Sequence, residues 1–132
     1  MDIFLKYQEE IKEDTKIDQL NILEKQLMLP AIKHKWVARL IEQKRNKAIL
    51  EKKRKDIKEE VLEKLMKDGV PSGIPKASLN SKVESSEAIK KIDDEIDQVD
   101  LTIDYLEKVE KIMSSITYDI GNATKIMVLE TT

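Results

Sequence analysis

The chain of 132 residues contains no cysteine, one histidine, three glycines, three prolines and only five aromatic residues. Without cysteine, disulfides and thiolate metal sites are excluded, and nothing calls for an oxidising compartment. With so few aromatics an independent globular core of this size is thinly supplied, so partner chains are expected to provide part of the burial. No apolar run approaches the roughly 20 residues that span a bilayer. The start, Met1-Asp2-Ile3-Phe4-Leu5-Lys6, lacks the basic region and long apolar core of a signal peptide. A soluble, intracellular protein without membrane contact is the expectation. What remains is 38% charged and 40% hydrophobic, a composition that suits long helices burying one stripe.

Hydrophobic spacing predicts an all-α chain. A first helix from Asp2 to about Asp14 places Ile3, Phe4, Tyr7 and Ile11 at helical intervals. A short second helix over about 17–29 carries Leu20, Leu23 and Leu27, with Asp18 as a cap and Pro30 as its end or as the first turn of the next helix. Residues 31–68 contain neither Gly nor Pro, and Trp36, Leu40, Ile41, Ala48, Ile57, Val61, Leu62 and Leu65 suit one long helix with Gly69 as its C′ residue. Residues 69–80 hold two glycines and two prolines and read as an exposed, mobile connector. The expected organisation is therefore a basic N-terminal region over 1–68, a connector over 69–80 and a C-terminal oligomerisation region over 81–132, all within one domain.

The last region opens on a capping box, Ser81-Lys82-Val83-Glu84, or on Ser85 or Ser86. Beyond it Ile92, Val99, Leu106, Met113, Ile120 and Met127 fall seven apart without interruption. Ile89, Ile96 and Ile103 flank this row first; Val109, Ile116 and Ala123 flank it later on the other side. A straight helix drifting from a 3.5-residue repeat gives this rotation. The seam can pack on the chain's own third helix or form the core of an oligomer, and the thin aromatic supply favours the oligomer. Gly121 interrupts the pattern and marks a place for a bend or an end.

The charge is unevenly placed. Residues 33–58 hold eleven Lys or Arg against three acids, a surplus of eight, although the whole chain carries −2. The other 13 basic and 23 acidic residues sum to −10. A basic surface on an otherwise acidic protein is suited to polyanions. On a helical wheel Lys44, Lys47, Arg54, Lys55 and Lys58 share an arc of roughly 100°, extended by Lys33 along roughly 35–40 Å of helix. Lys35, Lys52 and Lys53 complete the candidate nucleic-acid-binding set. Only Glu42, Glu51 and Asp56 are available locally as ion-pair partners. The other readings of this face are acidic protein partners and plain solvation.

Several absences narrow the chemistry. Only His34 and Trp36 lie near the basic helix as ring systems, whereas single-strand platforms commonly stack bases on exposed aromatics; Trp36 is expected to anchor the core instead. Binding should be sequence-tolerant, phosphate-dominated and salt-dependent. A phosphate-cradling G-x-x-x-x-G-K-[ST] loop is missing, and one histidine between Lys33 and Lys35 founds no catalytic site. The acids Asp93, Asp94, Glu95, Asp97, Asp100 and Asp104 point in different directions around a helix, so no metal and no cofactor are expected. Residues 84–110 carry ten acids against three lysines, a block suited to keeping DNA off or meeting a basic partner.

Gln8-Glu9-Glu10-Ile11-Lys12, Asp14, Ile17-Asp18 and, at the family's own spacing, Lys35-Trp36 resemble the UvsY family of recombination mediators from T-even-type bacteriophages. Val99-Asp100, Ile103 and Tyr105 give a second match within the seam helix. The resemblance implies a small all-helical protein forming a ring-like homo-oligomer, hexamer- or heptamer-sized, in the host cytoplasm. It further implies binding of single-stranded DNA, displacement of the single-strand-binding protein and loading of a phage RecA-like recombinase, with no enzymatic activity of its own. In that family a Lys and an Arg two apart contribute to DNA binding; here Lys58 and Glu60 fall nearest, so the upstream run Lys52-Lys53-Arg54-Lys55 is the alternative. The Ile92, Ile96, Val99, Ile103, Leu106, Met113, Ile116, Ile120 and Met127 seam is the expected oligomer contact. Two other readings stay open: a helical scaffold with a basic face for acidic proteins, and a duplex-binding architectural protein.

Overall fold

The computed structural model describes residues 2–18, 20–67 and 76–131, with the Lys76 side chain left aside. Among these residues it is built of four helices: α1 (Ile3–Asp14), α2 (Ile22–Lys67), α3 (Lys76–Glu84) and α4 (Glu87–Thr131). They form two compact units, one of residues 1–42 with 102–132 and one of residues 43–101. This grouping does not follow chain order, because α2 and α4 each contribute to both units.

In the first unit α1 begins where Asp2 caps it, its Oδ1 accepting from the Phe4 amide at 3.0 Å. Tyr7 is buried and Phe4 meets Tyr105 edge-on at 4.8 Å between ring centres, whereas Ile3 faces solvent. The connection to α2 is an Asx turn. Asp18 Oδ1 accepts from the Leu20 and Asn21 amides at 2.9 Å, and Asn21 Oδ1 accepts from the Asp18 amide at 2.7 Å. Asp18 thus caps this turn, as its position in the sequence suggests.

Pro30 does not end a helix. The expected short second helix and long third helix are one element of 46 residues with Pro30 inside it. A proline there withholds the hydrogen bond to the Gln26 carbonyl, at a cost of about 3 kcal/mol. Burial on both sides of the break offsets it, since Ile22, Leu29, Ile32, Trp36 and Leu40 all enter the core of this unit. Leu20, Leu23 and Leu27, which the helical spacing sets on one side, are exposed. Ile103, Leu106, Val109, Met113, Ile116 and Ile120 of α4 complete the core. The helix continues without interruption past Gly121, with the Thr117 and Thr124 hydroxyls donating to the carbonyls four residues back.

The second unit is centred on buried Val83, Ile89 and Ile92, against which Leu50, Ile57, Val61, Leu62, Leu65 and Ile96 pack. Of the expected connector, residues 69–75 lie outside the described residues, as does Gly69 as a helix end, while residues 76–80 are helical. The break before α4 falls at Ser85-Ser86. Ser86 Oγ accepts from the Ile89 amide at 3.4 Å and donates to the Val83 carbonyl at 2.7 Å, so Ser86 is the cap, and Ser81 lies inside α3.

Candidate nucleic-acid interface

The nine candidate basic residues separate into three environments. Lys35, in the first unit, belongs to a buttress around Trp36. The indole Nε1–H donates to Asp14 Oδ2 at 2.8 Å, and Lys35 reaches the same carboxylate while lying 3.5 Å from Glu10. Arg39 bonds Glu10 and stacks 4.9 Å from the centres of both the Tyr7 and Trp36 rings. The Arg39 guanidinium holds the Glu10 carboxyl below the usual carboxylate range, with Lys35 adding to the effect. Lys35 is therefore engaged in structure, and Trp36 is buried as a core anchor, unavailable for base stacking. Lys33, half-buried, lines a shallow cavity with Trp36, Val37 and Glu110.

In the second unit Lys47, Arg54 and Lys58 lie within roughly 40° of one another on α2 and face acids of α3 and α4. Lys47 Nζ is 2.7 Å from Asp100, Arg54 Nε is 2.6 Å from Asp93 Oδ1, and Lys58 Nζ is 3.0 Å from Glu84. Arg54 also bonds Glu84 through its second nitrogen. Hydrogen bonds from Lys58 and then Arg54 keep the Glu84 carboxyl below its ordinary range, and Asp93 and Glu84 raise the Arg54 guanidinium further above its own. Few ion-pair partners are expected along the helix itself, and the acids that meet these three cations lie on other helices. The acidic block at 84–110 supplies partners from across the unit. A basic run on one helix and an acidic run on another, after an intervening turn, is the signal that could have revealed this pairing.

Lys44, Lys52, Lys53 and Lys55 are exposed, and so is Arg45, which the sequence reading left out. Lys44, Arg45, Lys52 and Lys55 occupy an outward arc of roughly 100° over about 15 Å of helix. Among the described residues Arg45, Lys52, Lys53 and Lys55 make no ion pair. This arc carries no aromatic ring and no enclosed cavity. It can hold phosphates; it has nothing with which to read bases.

The seam expected to gather copies is largely consumed within the chain. Ile92, Ile103, Leu106, Met113, Ile116 and Ile120 are buried, and Ile96, Val99 and Met127 are half-buried. A side chain already surrounded by its own chain leaves little surface for a second copy. No group of acids or histidines among the described residues is arranged to hold a metal ion. No helix among them is long and apolar enough to cross a membrane.

An all-α chain of two long helices, with a solvent-facing basic arc free of aromatics, defines a helical protein suited to sequence-tolerant polyanion binding. The chain belongs to the UvsY family, described as recombination, repair and single-stranded-DNA-binding proteins, whose profile matches residues 10–131. Its fold is similar to crystal structures of the bacteriophage T4 recombination mediator protein UvsY. One crystal form superposes with a TM-score of 0.81, covering 96% of this chain and 98% of that one at 16% identity. A second gives 0.77, covering 96% of both chains at the same identity. No curated protein sequence matches the chain.

Proposed function

We propose that this protein is a recombination mediator that binds single-stranded DNA through phosphates, displaces a single-strand-binding protein and loads a RecA-like recombinase. It acts without catalysis or cofactor, as a homo-oligomer of hexamer or heptamer size, in the cytoplasm of an infected host cell. The observation that carries the reading is the outward arc of α2, where Arg45, Lys52 and Lys55 face solvent and make no ion pair among the described residues. Family membership supplies the biological setting.

Phosphate contact on such an arc exchanges condensed counterions for side-chain cations, and each contact is individually weak. Repeating the arc around an oligomer turns weak contacts into avid ones by effective concentration. A strand held over several copies loses register with a competing binding protein and offers an organised track to a recombinase. Lys44, Arg45, Lys52, Lys53 and Lys55 make the direct contacts in this reading. Lys47, Arg54 and Lys58 hold the second unit together and contribute field.

Fluorescence anisotropy of labelled oligo-dT across a salt series tests this. Affinity should fall steeply with salt, and unlabelled single strands should compete better than duplex at matched phosphate concentration. Indifference to DNA at about 50 mM salt, where phosphate binders are strongest, would instead favour a scaffold, and duplex preference an architectural protein.

A further inference from the structure

The face of α2 opposite the Trp36–Leu40 core is largely apolar, and its large apolar side chains remain exposed among the described residues. Leu23, Leu27, Pro30, His34, Val37 and Ile41 follow one another at intervals of four, three, four, three and four. That is the spacing of a coiled-coil seam, whose knobs fit the holes of another helix. Leu23 is 66% exposed, Leu27 84%, Val37 39% and Ile41 54%. We infer that this stripe, and not the Ile92-to-Met127 seam, is where a second copy of the chain docks.

Three observations favour a second copy. The four exposed side chains offer roughly 400 Å² of apolar surface, the size at which a patch on a monomer becomes functional. Stripes of neighbouring copies, with their flanks, reach the lower range of specific interfaces, about 1,200 Å² in total per contact. The flanks are also charged in opposite senses. Lys33 lies on one side of the stripe, Glu24 and Glu42 on the other, and none of the three makes an ion pair among the described residues. Helices packed in the same direction set one helix's left flank against its neighbour's right flank, so identical chains are complementary; antiparallel packing would set like flanks together.

Other exposed apolar residues do not form such a surface. Tyr118 and Leu129 share the outward side of α4 with Lys111, Asn122 and Lys125, which interrupt any seam. The stripe on α2 ends at Ile41; continued in register it meets Lys44, Ala48, Glu51 and Lys55. Each copy added through it brings another basic stretch to the same particle.

This inference rests on the homo-oligomer reading above, and light scattering separates the two. Wild-type protein at tens of micromolar should show a multiple of 15.3 kDa. Leu27→Lys with Ile41→Lys should fall toward the single-chain mass with unchanged far-ultraviolet circular dichroism, while Tyr118→Lys keeps the wild-type mass. Glu24→Lys with Glu42→Lys should also weaken association, and adding Lys33→Glu should restore it. A wild-type monomer would overturn the homo-oligomer reading together with this surface. A wild-type mass in the folded Leu27/Ile41 variant, dissociation by Tyr118→Lys, or failure of the charge swap to restore association would overturn the surface alone. None of these outcomes depends on DNA binding.

Discussion

Arg54 Nε lies 2.6 Å from Asp93 Oδ1, so the residue at the centre of the basic run is spent on the protein's own acidic block. Both side chains remain partly exposed, and a charge-assisted bond in that setting contributes on the order of 1 kcal/mol. A double-mutant cycle with Arg54→Gln and Asp93→Asn, followed by urea unfolding, should give a coupling energy of about 0.5–1.5 kcal/mol. Coupling near zero would remove the pair from the account of the second unit.

Stability should decline in acid below the ordinary range of a glutamate. Hydrogen bonds from Arg39 hold the Glu10 carboxyl below the usual carboxylate range, and those from Lys58 and Arg54 do the same for Glu84. Their contribution is therefore complete above the unfolded-state value and lost as pH falls through the folded one. Thermal melts from pH 7 to pH 3 should show the decline, with a smaller decline in Glu10→Gln. An identical profile in that variant would show that Glu10 carries no such linkage.

Gly121 should be replaceable with profit. It lies inside α4, and a Cβ built there meets nothing within 4 Å. Gly121→Ala should stabilise by up to about 1 kcal/mol through helix propensity and a less flexible unfolded chain, read as a higher denaturation midpoint at constant slope. A lower midpoint would mean that the glycine serves a contact outside the single chain.

Trp36 joins α1 to α2 through its bond to Asp14. Trp36→Phe keeps most of the ring but orphans that carboxylate oxygen, and should cost about 1–3 kcal/mol. Lys35 still faces Asp14, which places the loss toward the lower end. A neutral substitution would show that Lys35 alone satisfies the acid.

Local signals were legible in the sequence where they act over a few residues. The end of α1 at Asp14, Asp18 in its turn and Ser86, one of the three caps expected before α4, all follow from short-range hydrogen bonding. The periodicity of Ile92 to Met127 correctly marked a buried stripe but not what buries it, because a heptad pattern is the same for an intrachain and an interchain partner. Pro30 misled because tertiary burial of Leu29 and Ile32 overrides a local penalty. The basic face was visible as a charge count; its division into a paired arc and an open arc was not, since Glu84, Asp93 and Asp100 are tens of residues distant. Arg45 was missed for the same reason: that it makes no ion pair among the described residues is revealed only by the fold.

The central claim is that the open arc, not the paired one, holds single-stranded DNA. Salt-dependent oligo-dT anisotropy on Arg45→Gln/Lys52→Gln/Lys55→Gln tests it most directly, with Arg54→Gln as the comparison. Each lost phosphate contact should flatten the slope of log K against log salt by about 0.7, so the triple variant should lose about 2. Arg54→Gln should leave the slope within about 0.7 of wild type. An unchanged slope in the triple variant, with a large loss in Arg54→Gln, would contradict the account.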